Sequence, residues 1–396
     1  MCGAATSQTA PGSTVYNDQV QLGDVFATQT LNVVEPSEVV VAATTALGNG
    51  VTVFTEGTPV DVQSRQRLEG DVRASTTLNG DASVGWNTSV TTSAVGNAGT
   101  ANTLNGGSVS GTFRQQTGDV MVRAGTGVFA EWAYSGDISA SAQAVVNSQA
   151  FGAESGSSVD ATLKQRSAAT VEAATGVIIK HVPGSASFAS SAVNNNLTAS
   201  GVDGSQMDLA VQQTATGDHT QATVFVSGGL VQSSSAASSA VANNISVENH
   251  GQPLTVSAGQ TNTSYVRAQT VNNIDAFGAS TTLAYGVGNS TMVTEFGPEL
   301  TLDTNQVNSG GVAAIAEASG RDGFDMSAQS TAIGNAVTGT VCTECGGVIN
   351  ANNRQVNHSN VTSTTNIGLT GANRSVSGVS TAVGNTASFF ATTPGG

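Results

Sequence analysis

Apolar and polar residues alternate along most of this chain with a period of two. Between residues 120 and 124, two valines and an alanine share one face, while Met121 and Arg123 fall on the other. The segment 223–227 alternates in the same way. This period predicts β-strands, because successive side chains of a strand point to opposite faces. No long stretch keeps a period of 3.6, so we expect no helices.

A short phrase recurs along the whole chain. Small residues are followed by Ala, one apolar residue and then Gly-Asn or Asn-Asn, with a looser copy of the phrase at residues 285–289. The steps between successive copies are 48, 50, 48, 48, 46, 46 and 50 residues, which is too regular for chance. The asparagines that end the phrase are Asn49, Asn97, Asn147, Asn195, Asn243, Asn289, Asn335 and Asn385.

A second phrase lies between these copies and places Gln shortly before Gly-Asp or a similar pair. Its glutamines are Gln19, Gln66, Gln116 and Gln213, with weaker copies at Gln165, Gln260, Gln306 and Gln355. Its aspartates are Asp24, Asp71, Asp119 and Asp218. The two phrases divide the chain into segments of roughly 22 and 26 residues, which we interpret as two unequal coils per repeat.

The repeats predict an all-β fold consisting of a single elongated β-solenoid. We expect about sixteen coils, arranged as eight double-coil repeats of about 48 residues, and a rod of roughly 75 to 80 Å at the spacing of β-strands. The predicted organisation is an N-terminal tail or cap at 1–18, the solenoid at 19–385 and a C-terminal tail or cap at 386–396. An uncapped end exposes strand edges to which another chain can pair.

The repeated amides allow two interpretations. Each Asn or Asp is a left-handed turn residue, which we favour for the Asn positions, or the amides stack into hydrogen-bonded ladders between coils, which we favour slightly for the Gln positions. Neither interpretation requires a ligand, and we expect no cofactor.

The composition restricts the classes of function that we expect for this chain. Only 10% of residues are charged, the formal charge is −15, and Lys164 and Lys180 are the only lysines. Nucleic-acid binding is not expected, because phosphate contacts need clustered Lys and Arg. An acidic, lysine-poor chain rich in Ser, Thr and Asn is typical of exported bacterial surface proteins. No apolar run approaches the ~20 residues that span a bilayer.

The chain shows none of the common catalytic patterns. His181, His219, His250 and His358 are scattered without metal or triad spacing, and we expect them at the surface. The Gly-Asp aspartates could bind calcium, but the nonapeptide period of calcium-binding β-rolls is absent. Parallel β-helices also host glycoside hydrolases, yet no cluster of carboxylates stands out. We therefore expect a protein that is not an enzyme.

Three cysteines complete the candidate chemistry. Cys342 and Cys345 form a C-x-x-C without the second ligand pair that zinc needs, so we expect a disulfide across a small loop. Cys2, followed by Gly3 and Ala4, suits a lipid-modified mature terminus, and a free thiol is the alternative.

The repeated phrases also resemble the sequences of known bacterial protein families. The spacing of Gln, Gly, Asn and Ala resembles curlin repeats, although the strict curlin order is not kept. The opening phrase 16–25, the length and the whole-chain solenoid resemble the holdfast-anchor protein HfaD family of stalked alphaproteobacteria. That resemblance implies a curlin-like partner subunit, a curli-type outer-membrane secretion protein and an adhesive polysaccharide as partners. It offers no catalytic residues.

Three functions follow as hypotheses. The first is a structural protein at the bacterial cell surface or outer membrane that anchors an adhesive polysaccharide or acts as an adhesin. The second is a curlin-like fibre subunit that associates end to end. The third is a glycan-binding or glycan-active protein that uses one face of the rod.

Overall fold

Strands make up almost the whole described chain. The computed structural model describes residues 12–342 and 346–392. Within these residues there is no helix. The strands are β1 (Ser13–Gln21), β2 (Val25–Val33), β3 (Val39–Glu56), β4 (Pro59–Leu68), β5 (Val72–Gly80), β6 (Asn87–Leu104), β7 (Ser108–Thr117), β8 (Met121–Tyr134), β9 (Asp137–Ala153), β10 (Ser158–Ser167), β11 (Thr170–Ala215), β12 (His219–Asn262), β13 (Tyr265–Glu295), β14 (Glu299–Asn308), β15 (Val312–Cys342), β16 (Val348–Asn357), β17 (Val361–Leu369) and β18 (Ser375–Thr392). The prediction of an all-β chain is confirmed.

The strands join in one parallel sheet that follows three interleaved series. In the first, β1 pairs with β4, β4 with β7 and β7 with β10. In the second, β2 pairs with β5 and β5 with β8, and in the third β3 pairs with β6 and β6 with β9. All these pairings are parallel, which is compatible with a solenoid.

The step between hydrogen-bonded neighbours is one full repeat. Val15 pairs with Val62, and Val62 pairs with Gly111. Equivalent positions of successive repeats are therefore neighbours, and within the described part of the chain no Gly-Asp segment pairs with the Gly-Asn segment of its own repeat. The count of sixteen coils is not confirmed, because two coils per repeat would need neighbours only 22 to 26 residues apart.

Two apolar layers run side by side through the fold. One contains residues of the second strand series and the first half of the third, such as Val72, Leu78 and Val90. The other contains residues of the first series and the second half of the third. There Phe113 and Phe151 meet edge to face, with ring centroids 5.0 Å apart. Because most inward residues are Ala, Val, Ser and Thr, the facing strands can approach closely.

The first and last repeats form the two ends of the described fold. β1 and β18 extend across the predicted domain bounds at 18/19 and 385/386, and the division of the chain there stays a prediction. The side chains of β1 and β2 alternate between exposed and half-buried, as do those of β17. The inward faces of the terminal strands are therefore only partly covered by described residues.

Candidate functional site: two amide ladders and the outer faces

The eight phrase asparagines form one continuous ladder. They lie where the third strand series turns from one apolar layer to the other, and the six from Asn97 to Asn335 are fully buried. Asn195 is typical. It accepts from Asn147 Nδ2 at 2.8 Å and donates to Asn243 Oδ1 at 2.8 Å. Its second amide hydrogen goes to the carbonyl of Thr214 at 3.1 Å, on the opposite sheet segment.

The glutamines form a second ladder in the first strand series. Gln213 Nε2 donates to Gln165 Oε1 and to the carbonyl of Asn244, each at 2.8 Å. Gln260 Nε2 in turn donates to Gln213 Oε1 at 2.8 Å. Equivalent contacts join all eight repeats, through the following residues: Gln19, Gln66, Gln115, Gln165, Gln213, Gln260, Gln306 and Gln355.

One predicted ladder residue has to be corrected. Gln115 stands in the ladder and donates to Gln66 Oε1 at 2.9 Å, whereas Gln116 points outward. Strand alternation explains the exchange, because Phe113, Gln115 and Thr117 share the buried face. The adjacent pair of glutamines hid this choice from the sequence, although extending the alternation from Phe113 would have resolved it.

The two ladders have opposite polarity. Each ladder Asn donates its amide to the following repeat, as Asn49 does to Asn97 at 2.8 Å. Each ladder Gln donates to the preceding repeat, as Gln66 does to Gln19 at 3.0 Å. The amide dipoles of the two rows therefore oppose each other, so stacking many repeats does not build up a large dipole along the axis.

The residues in left-handed turns are not the phrase asparagines for which such turns were predicted. Among the residues that the structure describes, the non-glycine residues with positive φ are Asn105, Ser155 and Asp203, and none of the ladder asparagines is among them. The interpretation of the phrase asparagines as left-handed turn residues is therefore wrong. Asn105, Ser155 and Asp203 are each followed by a glycine that also has positive φ, at the connection between one repeat and the next.

Two of the Gly-Asp aspartates accept backbone hydrogen bonds from the following repeat. Asp24 Oδ1 accepts from the backbone N–H of Asp71 at 2.8 Å, and Asp71 Oδ1 accepts from the N–H of Met121 at 2.8 Å. Asp218 lies 3.0 Å from His219 Nδ1. The side chain of Asp119 is exposed. Within the described residues, no group of three or more His, Cys, Asp or Glu is placed to hold a metal ion.

The titratable groups are dispersed. His219, predicted at the surface, is half-buried between Asp218 and Glu172, whose Oε1 lies 3.1 Å from Nε2. Glu295 is fully buried, and Asn249 Nδ2 donates to its Oε2 at 2.9 Å. Burial raises the pKa of the Glu295 carboxyl. The two groups lie in different repeats.

The cysteines fall at the edge of the described chain. Cys342 ends β15 and is buried. Cys345 and Cys2 lie outside the described residues, so the predicted pairing of Cys342 with Cys345 and the predicted lipidation of Cys2 stay predictions.

A shallow groove crosses several repeats on the outer face of the second strand series. It has a volume of about 670 Å³, and its lining combines the charged residues Glu131, Lys180, Asp275 and Arg321 with aliphatic and small residues. Arg321 and Asp275 pair at 3.2 Å, so part of its charge is compensated. Such a surface suits an extended ligand better than a small substrate, which normally needs an enclosed pocket.

An all-β chain whose buried amides bond to their equivalents at steps of 46 to 50 residues is organised as a repeat protein. Residues 34–311 match the family HfaD, holdfast attachment protein D. The match spans more than half of the chain, and the protein belongs to this family. No curated protein and no solved structure matches the chain.

Family membership implies a role in holdfast attachment, an association with the holdfast polysaccharide and a place at the cell surface. It also suggests a structural protein without catalytic activity. Among the described residues, no helix has the length and hydropathy needed to cross a membrane.

Proposed function

We propose that this protein is a rigid β-solenoid that anchors an adhesive polysaccharide to the outer surface of the bacterial outer membrane. The family match carries the proposal. The ladders support it, because a row of buried amides bonded at every repeat resists bending and sliding between strands. An anchor has to transmit force along its length, and a uniform stack of parallel strands provides this without a weak joint.

We further propose that each repeat of about 48 residues is one coil rather than two. The pairing of Asn with Asn and Gln with Gln at steps of 46 to 50 residues supports this arrangement. Eight such coils at about 4.8 Å each give a rod of roughly 40 Å, half the length expected from sixteen. The Asn phrase and the Gln phrase then lie at the two places where the backbone of one flattened coil crosses from one apolar layer to the other.

Two deletions test the coil. Removing residues 196–243 joins Asn195 to Asn244 and leaves every remaining ladder in register, so we expect a folded rod shorter by one strand spacing. Removing 24 residues, 196–219, brings unlike segments into register and should abolish cooperative unfolding. Circular dichroism and small-angle scattering measure both outcomes. A half-repeat deletion that folds as well as the full one would refute the single coil.

The anchoring role is tested in cells. A strain without the gene should shed its adhesive polysaccharide into the medium, and the full chain should restore retention. The 196–243 deletion should also restore it, because the faces and both ends are kept. Retention that is unchanged without the gene would contradict the proposal. The curlin-like partner and the curli-type secretion protein stay predictions from the resemblance.

A second candidate function, a fibre subunit, is favoured by the chemistry of the two ends. Among described residues, Asn385 accepts from Asn335 but donates to none, and Asn49 donates to Asn97 but accepts from none. A second copy stacked in register would bring Asn385 against Asn49 and Gln355 against Gln19. Both ladders would then continue with their own polarity.

The fibre candidate makes its own prediction. Filaments should form in a concentration-dependent way, and Asn385→Lys should suppress them by placing a charge in the continuing ladder. Asn366→Lys, on an exposed outward position of the same repeat, is the matched control. A wild-type chain that stays monomeric at high concentration in sedimentation would exclude this candidate.

A further inference from the structure

Three cations stack on the outer face of the first strand series. Arg65 lies in register with Arg114, and Arg114 with Lys164, in the neighbouring strands β4, β7 and β10. All three side chains are exposed. We call this row the cationic stripe. Successive charges are about one strand spacing, 4.8 Å, apart at the backbone. The stripe gathers three of the twelve Lys and Arg residues of a chain whose formal charge is −15.

None of the three stripe side chains forms an ion pair with a described residue, although Asp18 stands one strand away from Arg65. Among the described residues, none of its three side chains has a carboxylate within 4.0 Å. On the adjoining second series, Arg73 pairs with Asp71 at 2.5 Å and Arg123 pairs with Glu172 at 3.4 Å. Like charges directly opposite each other in a sheet are unfavourable, so a bound polyanion would relieve the repulsion.

A groove beside the stripe offers neutral contacts of a kind that suits sugars. It has a volume of about 520 Å³, and its lining includes Tyr16, Gln63 and Thr112, the cations Arg65 and Arg114, and one carboxylate, Asp18. The Tyr16 ring is 75% exposed. An exposed aromatic face can stack on a sugar ring, and amide and hydroxyl groups can bond its hydroxyls.

The neighbours of the stripe define its extent. Asp18 stands in register below Arg65, and Gln212 stands above Lys164. Two further cations flank the row two residues along the strands. Of these, Arg67 pairs with Glu69 at 2.6 Å, and Arg166 has no carboxylate within 4.0 Å among described residues. The stripe is therefore three repeats long, with charge of the opposite sign at one end and none at the other.

We propose that the cationic stripe and its groove bind an acidic polysaccharide through carboxylates that recur along the sugar chain. This inference rests on the proposed function, for which it names the ligand class and the face. A polysaccharide with separated carboxylates fits three cations spaced along an acidic rod. Duplex DNA, with a charge every ~1.7 Å, would be repelled by the rest of the surface.

The test uses the purified full chain and polygalacturonate, with neutral dextran as the reference polymer. The stripe variant is R65Q/R114Q/K164Q. The control R73Q/R123Q/R267Q removes the same charge from an outward row of the second strand series. We expect the stripe variant to weaken polygalacturonate binding at least about tenfold and the control about twofold or less. The slope of log affinity against log salt should fall by about two to three in the stripe variant.

Three results would each overturn the inference. They are equal affinity for dextran and polygalacturonate, an equal loss of polygalacturonate affinity in the stripe variant and the control, and binding of duplex DNA as tight as that of polygalacturonate. Circular dichroism first establishes that both variants are folded. Failure of the anchoring role is separate, because it is read from polysaccharide retention in the strain without the gene, whatever the stripe binds in solution.

Discussion

The buried Asn ladder should contribute more to stability in its middle than at its end. In Asn195→Ala, three hydrogen bonds are lost, to Asn147, Asn243 and Thr214. Each is worth about 1 kcal/mol net, and the Oδ1 of Asn243 is left buried without a donor, which adds about 1 to 3 kcal/mol. We therefore expect a loss of about 4 kcal/mol in the free energy of unfolding.

The matched control lies at the end of the same ladder. Asn385 is exposed and makes one ladder bond, with Asn335 Nδ2 at 2.7 Å. Asn385→Ala should therefore cost only about 1 kcal/mol. Urea titration followed by far-UV circular dichroism measures both free energies. Equal losses in the free energy of unfolding at Asn195 and Asn385 would refute this prediction. Burial and the number of hydrogen bonds would then not determine how much each ladder asparagine contributes to stability.

A second substitution separates hydrogen bonding from packing. Asn195→Asp keeps the shape and can still accept from Asn147, but an ionised carboxylate cannot donate to Asn243 or Thr214. Burial among acceptors should raise the pKa of the introduced carboxyl, so the variant should lose stability as pH rises through that pKa. The measurement is the urea midpoint between pH 4 and 8. A variant as stable as the wild type at neutral pH would contradict the ladder.

Three further predictions follow from single residues. Burial raises the pKa of the Glu295 carboxyl, so the folded state favours its protonated form and stability is lost as pH rises through the raised pKa. In Glu295→Gln this pH-dependent loss should disappear. Urea unfolding at several pH values measures it. Gly111 has φ of 138° and a Cβ there would lie 2.0 Å from the carbonyl oxygen of Val62, so Gly111→Ala should cost about 2 kcal/mol or more in urea unfolding. The hydrogen bond from Arg374 lowers the pKa of the exposed Asp325 carboxyl, so Arg374→Gln should return it to its ordinary range in an NMR titration, with little change in stability.

The alternation of side chains was readable from the sequence because each strand residue has only two faces to choose from. The burial of Val122 and Val224 follows from that period alone. The sequence also located the eight asparagines, since one recurs at nearly constant spacing, but it favoured left-handed turns there, whereas the structure stacks them in a ladder. It assigned Gln116 to the second ladder wrongly, because a neighbouring Gln115 differs from it only in the phase of the alternation.

The pairing step was decided only in three dimensions. Every pairing of like-patterned strands satisfies a period of two, so pairing at 24 residues and at 48 residues gives the same apolar pattern. The structure pairs residues 46 to 50 apart, so that each ladder residue meets its equivalent in the next repeat. The cationic stripe has the same origin, since Arg65, Arg114 and Lys164 are about 50 residues apart in the chain and become neighbours only through the register of β4, β7 and β10.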